Sequence, residues 1–415
     1  MKLLKKWLGG FILRNRMGNL ADYYSRDIEI VSGDGCYLFD QNGKKYLDFL
    51  AGWCVGNVGW GRKEIKEAVE KQLEKGAYVP PVFRSRLWEE FAELLIKISP
   101  NKNLTRAFRC TSGSEAVEFA IKCARAATGK HKIISAEGTY HGHTYGAAAV
   151  GNACTKAMAP CASGFEKIPQ PDAYRGVTGS QVLEKMESIL RNDKDIAAFL
   201  SEPVWSNAGV FVPPEGFYKK VEELCRQYGV LLIMDEVATG FGRCGKLFGY
   251  ELWDIKPDIV CLGKGLTGGY STMGATLVTE DIYKASFDIP FYSTFGWNVF
   301  DLAAAKANVE IILRDRLWEN SQSVGGHLLN KLKSFEEKSF IGEARGVGLL
   351  LGIDIVQNKK SKARDGKKAD EIMNQCAENG LLLETAHNVL FVTPPLILTK
   401  EQADEGAEIL ASVLK

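Results

Sequence analysis

The 415-residue chain holds no apolar run near the length of a membrane span, no C-x-x-C pair among ten cysteines, only five histidines, and no surplus of either charge. Lys and Arg number 52 against 51 Asp and Glu, a formal balance of +1. Each absence removes a class of function. Without a basic surplus there is no electrostatic footprint for tracking nucleic-acid phosphates, and without about 20 consecutive apolar residues no helix crosses a bilayer. Cysteines such as Cys225 and Cys261 fall in helical or apolar patterns and read as small core hydrophobes. Free thiols in a reducing, cytoplasmic setting are therefore expected, not a disulfide framework. The His141-x-His143 spacing lacks a third ligand nearby in sequence, and no metal site is expected. Lys359 to Lys368, with five lysines and one arginine, reads as a solvated loop. Met1 to Leu13 mixes lysines with Leu3, Leu4, Trp7, Leu8, Phe11 and Ile12. Gly9 and Gly10 break that run and no small-residue cleavage site follows, so it reads as an amphipathic helix packed on the body or on a second subunit.

What is present is a chain with 46% hydrophobic residues, ordinary for a soluble globular protein. Apolar runs of strand length alternate with helix-period stretches: Arg106 to Cys110, Lys132 to Ser135, Ile196 to Leu200, Val230 to Met234, Ile259 to Leu262 and Ala275 to Val278 read as strands. Glu115 to Ala127 and Gly216 to Tyr228 read as helices. The alternation predicts an α/β domain around a mostly parallel central sheet. A long helical pattern starts near Asn298, and strand candidates at Gly348 to Ile355 and Val389 to Val392 predict a smaller α+β domain. The expected division is an N-terminal segment, 1–55, associated with the small domain, a large domain over 56–297 and a C-terminal small domain over 298–415.

The residues with chemistry in them fall just after these runs: Ser112 to Ser114, Tyr140, Glu202, Asp235 and Lys264. Open α/β sheets bind ligands beyond the carboxyl ends of their strands, so this spread of positions converges on one edge. Lys264 ends one apolar run and Asp235 the one before it. A partly desolvated lysine offers a neutral amine for Schiff-base chemistry. A carboxylate beside it suits pyridoxal phosphate (PLP), whose ring nitrogen must stay protonated if the ring is to act as an electron sink. Thr111 to Ala116 gives either an anion cradle of backbone N–H groups with the Ser112 and Ser114 hydroxyls, or only a serine N-cap with Glu115 in the first turn. Beside Lys264 and Asp235 the cradle is the better reading. Tyr140 suits an aromatic stacked on a cofactor ring, and Glu202 a carboxylate orienting the groups around it. Gly263-x-Gly265-x-x-Gly268 matches a dinucleotide fingerprint, but a turn into a strand follows it where a helix should open.

The motif Asp235-Glu236-Val237-Ala238-Thr239-Gly240-Phe241-Gly242-Arg243, followed by Lys264, resembles the class III (ω-type) aminotransferases of the fold-type I PLP family, over nearly the whole chain. The resemblance implies that Lys264 carries the cofactor as a Schiff base, and that Asp235 pairs with the ring nitrogen. Val237 would then pack under the ring and Tyr140 above it, while Ser112, Gly113 and Ser114 hold the phosphate. His141 and Glu202 join the cofactor-binding set. Thr294, in Ser-Thr-Phe-Gly, matches a threonine donated to the phosphate across a dimer interface, which implies a homodimer with shared active sites. The segment Trp53 to Lys63 is similar to the pocket segment of pyruvate-using amine transaminases, with Trp53 a candidate pocket wall beside the reading of a core tryptophan.

Two departures bear on substrate. Relatives that use α-keto acids carry a carboxylate-binding arginine shortly before a Pro-Pro-Leu motif, here Pro394-Pro395-Leu396; at the two matching positions this chain has Glu384 and Phe391. A gating glutamate of the 4-aminobutyrate and ornithine type is matched by Asn207. The expectation is an amine donor such as a diamine, polyamine or amino-sugar, recognised by Glu384, and a carbonyl acceptor, in a ping-pong reaction. Glu384 as a plain surface residue is the competing view. An aminomutase or racemase of the same family is the alternative activity.

Overall fold

The computed structural model describes residues 27–76 and 78–415; the helix expected for Met1 to Leu13 lies outside the described residues. Strands β1 (Ile30–Asp34), β2 (Tyr37–Asp40) and β3 (Lys45–Asp48) form an antiparallel meander. Seven strands then build the central sheet: β4 (Leu104–Cys110), β5 (Lys132–Ala136), β6 (Phe165–Ile168), β7 (Ile196–Ser201), β8 (Leu231–Asp235), β9 (Ile259–Leu262) and β10 (Gly274–Thr279). Their order is β4-β10-β9-β8-β7-β5-β6. Only β10 runs antiparallel to its neighbours. The fold is thus the expected α/β architecture with a mostly parallel sheet. Every residue of β7 and of β9 is buried, as befits strands covered on both faces.

The helix Gly113–Thr128 shows how closely a cover packs. It starts where the Ser112 side chain accepts from the Glu115 amide at 3.2 Å, and it ends at Gly129, in the left-handed region that stops a helix (φ 67). Its inner face is small, with Ala116, Ala120, Cys123 and Ala124 buried. The backbone therefore comes near enough for the Thr276 hydroxyl of β10 to donate to the Ala116 carbonyl at 2.8 Å.

Strands β11 (Ile341–Val347), β12 (Leu350–Ile355), β14 (Glu384–Ala386) and β15 (Val389–Val392) make a separate antiparallel sheet. The short β13 (Leu381–Leu382) joins the N-terminal meander, parallel to β3. The strand expected from Gly348 starts at Leu350, because Gly348 turns in the left-handed region (φ 57). The helix from Asn298 runs over Val299–Arg314, and a second, Leu317–Ser334, begins after the left-handed Arg316. No helix among the described residues is long and apolar enough to cross a membrane.

Two expectations need correction. Cys154 and Cys161 are joined in a disulfide. They sit on the loop after the helix Tyr145–Val150, where no periodic pattern fixes a thiol's surroundings, so the spacing carried no signal. The other eight cysteines are buried free thiols, as expected. The basic run Lys359 to Lys368 is not all loop. The Asp365 side chain accepts from the Lys368 amide and starts a helix at Gly366; Lys362 donates to the Tyr174 carbonyl at 2.6 Å.

Candidate active site

Asp235 is the last residue of β8 and only 3% exposed. Its Oδ2 lies 2.7 Å from His141 Nδ1, and its Oδ1 accepts from the Val237 amide at 3.0 Å. An ionised carboxylate only accepts, which assigns the shared proton to Nδ1. The other ring nitrogen, Nε2, is buried with no hydrogen-bond partner.

Glycines let three segments converge beside this pair. A Cβ on Gly113 would lie 2.7 Å from Val237 Cγ1, and one on Gly263 would lie 3.2 Å from Gly113 Cα and 3.3 Å from Val237 Cγ1. The start of the helix Gly113–Thr128, the residue two beyond Asp235 and the residue before Lys264 are therefore in contact. Lys264 follows β9 with a left-handed backbone (φ 43) and is half-buried. Gly142 (φ 132) crosses Ser114, where a Cβ would meet Ser114 Oγ at 2.5 Å. Ser114 Oγ accepts from the His143 amide at 3.2 Å. Tyr140 packs edge-on to His143, ring centroids 5.1 Å apart. Ser112, Gly113, Ser114, His141, Asp235, Val237 and Lys264 thus share one edge of the sheet. Ser112 is the helix N-cap, as the second reading of that segment expected.

Glu202, directly after β7, is fully buried, with Oε2 accepting from the Ser206 amide at 2.7 Å and Oε1 2.8 Å from the Ser206 hydroxyl. Burial and the charge of Asp235 push its carboxyl up to about 8, against the pull of Ser206 and Lys264. With the folded value above the ordinary 4.5, the native state holds a proton that the unfolded chain releases. Stability is full below the ordinary value and declines as pH rises toward about 8. Glu202→Gln presents the same shape without the titration. Relative to the variant, wild type should lose up to about 1.4 kcal/mol per pH unit across that window, read from urea midpoints. Parallel midpoints would contradict a protonated Glu202.

The substrate-side candidates meet at the separate antiparallel sheet. Glu384 and Phe391 are cross-strand partners in β14 and β15, so the two alternative arginine positions of the relatives are one place in the fold. Trp53 packs on Phe391, ring centroids 5.2 Å apart. Its backbone is left-handed, like that of Ala51, Gly52 and Cys54 (φ 46, 59, 64 and 66 from Ala51 to Cys54). Such a turn costs about 1–2 kcal/mol per non-glycine residue and is tolerated where function fixes the backbone. Thr294 is exposed, its carbonyl accepting from the Tyr78 hydroxyl at 3.0 Å. The neighbouring Ser293 hydroxyl lies 3.3 Å from Glu115, in the first turn of the helix that starts at Gly113. Among the described residues no three His, Cys, Asp or Glu side chains are grouped to hold a metal ion.

Two residues of the Asp235 to Arg243 motif have structural work that sequence reasoning did not assign. Glu236 is buried and accepts from the Thr239 hydroxyl at 2.6 Å and the Gly249 and Tyr250 amides at 2.9 and 2.7 Å. Arg243 is fully buried and donates to Asn57 Oδ1 at 2.7 Å and to the Leu349 and Pro394 carbonyls. It ties the motif to the segments that carry Trp53 and Glu384. A buried guanidinium needs such acceptors, and an arginine ending a glycine-rich turn was the only hint.

Residues 21–414 match the sequence profile of the family Aminotransferase class-III. The acetylornithine aminotransferase of Archaeoglobus fulgidus is 35% identical over 402 residues, covering 96% of this chain and 99% of its own. The adenosylmethionine-8-amino-7-oxononanoate aminotransferase of Staphylococcus aureus is 35% identical over 410 residues, 91% and 90% of the two chains. In three dimensions the chain is similar to an amine transaminase from an uncultivated Pseudomonas species, solved in its PLP-bound, internal-aldimine form. The TM-score is 0.90 and the identity 30%, with 96% of this chain and 97% of that one covered.

Proposed function

The chain belongs to the class-III aminotransferases and is a PLP-dependent transaminase, and we propose that it takes the amino group of a cationic amine, a diamine, polyamine or amino-sugar, and passes it to a carbonyl acceptor. The observation that carries the cofactor assignment to these residues is the buried His141–Asp235 pair, next to the seat formed by Gly113, Val237 and Gly263. A side chain at either glycine would crowd Val237 and push the three segments apart, and His141 Nε2 is a buried polar atom with no hydrogen-bond partner in the protein. When bound, PLP supplies the electron sink that stabilises negative charge on the substrate carbon.

The chain's own residues do the rest. Lys264 Nζ would hold the aldehyde and, as a free amine, would take the proton from the carbon α to the amino nitrogen and return it on the far side of that nitrogen. Asp235 would pair with the ring nitrogen, and His141 holds that carboxylate in place through Nδ1. Gly113 and the Ser112 and Ser114 hydroxyls would receive the phosphate at the start of the Gly113–Thr128 helix, where backbone N–H groups have no helical partner. Tyr140 and Val237 would bound the ring on its two faces, and Glu202 would set the polarity beyond Asp235.

The active unit in this reading is a homodimer that shares its sites through Thr294. Exposed Tyr78, which packs on Phe295, and exposed Tyr292 support it as an apolar surface around that threonine. The division at 1–55, 56–297 and 298–415 belongs to the same reading, supported by the pairing of β3 with β13. So does a cytoplasmic setting, supported by the eight buried free thiols.

Glu384 selects the donor. Half-buried opposite Phe391, it repels a carboxylate and attracts an ammonium. Glu384→Arg should raise kcat/KM for α-keto acids at least tenfold and lower it similarly for diamines, since one close charge pair is worth about 1.5 kcal/mol or more. If neither value moves, the donor assignment is wrong and the transaminase class stands.

A further inference from the structure

The left-handed turn that carries Trp53 is held from outside itself. Asp48, at the end of β3 and 1% exposed, accepts from the Leu50 and Ala51 amides with Oδ1 at 2.9 and 2.8 Å. Its Oδ2 accepts from Trp60 Nε1 at 2.8 Å. Trp60 is in turn fixed by glycines: a Cβ on Gly33 or Gly56 would lie 2.7 or 2.8 Å from its side chain. From the other side, the Thr393 hydroxyl donates to the Leu50 carbonyl at 2.8 Å. Thr393 follows directly on β15, the strand whose Phe391 packs against Trp53. The turn is therefore gripped at its start by a carboxylate and at its carbonyl by the strand its tryptophan touches.

We propose that Asp48 is a positioning residue for substrate selection: it enforces the left-handed turn, which fixes Trp53 against Phe391 and so sets the width of the pocket wall opposite Glu384. The inference rests on the transaminase reading. Asp48 touches neither substrate nor cofactor. It acts because three non-glycine residues, Ala51, Trp53 and Cys54, hold a conformation they would otherwise leave, and because the two amides it accepts from are those entering that turn. Without the carboxylate, Leu50 N and Ala51 N lose their acceptor, the turn relaxes, and Trp53 samples positions away from Phe391.

The test uses full-length protein labelled with 5-fluorotryptophan, the Trp53 19F resonance being assigned by its loss in Trp53→Phe. In Asp48→Ala that resonance, together with that of Trp60, is expected to shift or broaden while the other tryptophans keep theirs. The ratio of kcat/KM for a small to a bulky amine should change at least tenfold. Adding Ala51→Gly, which makes the left-handed backbone favourable at that position, should restore the Trp53 resonance and the ratio. A loss that was merely of packing would not be recovered by removing a methyl group. If Asp48→Ala does not fold, Asp48→Asn keeps one acceptor for the two amides but sets an N–H against Trp60, and should move the same two resonances less. An unmoved Trp53 resonance, or a ratio within twofold when the resonance has moved, overturns the proposal. Absence of transamination by wild type with every amine would instead defeat the functional reading, while the 19F spectra still decide whether Asp48 holds Trp53.

Discussion

Lys264→Ala should lower transamination by about 10⁴-fold or more, because in the proposed reaction a single side chain supplies both the covalent hold and the moving proton, and general-base contributions alone reach about 10²–10⁴. The fold should not notice. The turn around Lys264 is closed by backbone bonds, the Leu266 amide to the Gly263 carbonyl at 2.9 Å and the Thr267 amide to the Lys264 carbonyl at 3.1 Å, and neither uses the ammonium. The left-handed φ of 43 at Lys264 is as uncomfortable for alanine as for lysine, so the substitution adds no strain. Two measurements separate the roles. Borohydride treatment of PLP-loaded protein should fix the cofactor to wild type and not to the variant. Added small primary amines should recover part of the proton transfer and none of the labelling. Thermal midpoints should agree within a few degrees. A variant that kept a tenth of wild-type activity would remove Lys264 from its assigned place.

Asp235→Asn should cost about 10³-fold in the half-reaction with amine donor alone, while borohydride labelling at Lys264 stays intact. The asparagine oxygen can still accept from the Val237 amide or from His141, so geometry is largely kept; what goes is the negative charge. That charge works in a dry site, since His141 is fully buried and the Asp235 side chain is 4% exposed. There a fixed charge is worth far more than in water, and loss of one preorganised electrostatic contact typically costs about 10²–10³-fold. Single-turnover rates are the right readout, because steady-state values mix this step with product release. A fall of less than tenfold would mean that His141, and not Asp235, carries the electrostatic role.

The contrast between these two residues and the rest of the site shows what a linear chain reveals. Strands β7, β8 and β9 announce themselves as short apolar runs, and because a parallel sheet aligns its carboxyl ends, residues just beyond the runs fall together. That is how Lys264, Asp235, Glu202 and the Ser112 to Ser114 turn are visible in the sequence. Contacts between distant segments leave no such trace. Nothing near Arg243 says that its acceptors are Asn57, Leu349 and Pro394, and nothing in Ala51 to Cys54 announces a left-handed turn, since its sole glycine is Gly52. Glu384 and Phe391 were two positions in sequence until a hairpin made them partners. Cys154 and Cys161 could be paired only by the path of an irregular loop. The local signals concern which groups reach the sheet edge; the non-local ones concern how firmly the edge holds them.

The pairing of β3 with β13 binds residues near the two ends of the chain, Leu47 with Leu381 and Asp48 with Leu382. On a ribosome these partners emerge far apart in time: at about 5–20 residues per second, β3 waits roughly 20–70 s for the strand that completes its sheet. For that interval its outer edge has unpaired backbone groups, the kind of surface that recruits other strands. Asp48 ends that strand, so the turn that presents Trp53 cannot be secured on both sides until Thr393 has also been made. The turn that carries Trp53 is therefore among the last parts of the molecule to set, long after the residues around Lys264 have been synthesised, and a nascent chain stalled before Leu381 would present a sticky, half-built meander to the cell's chaperones.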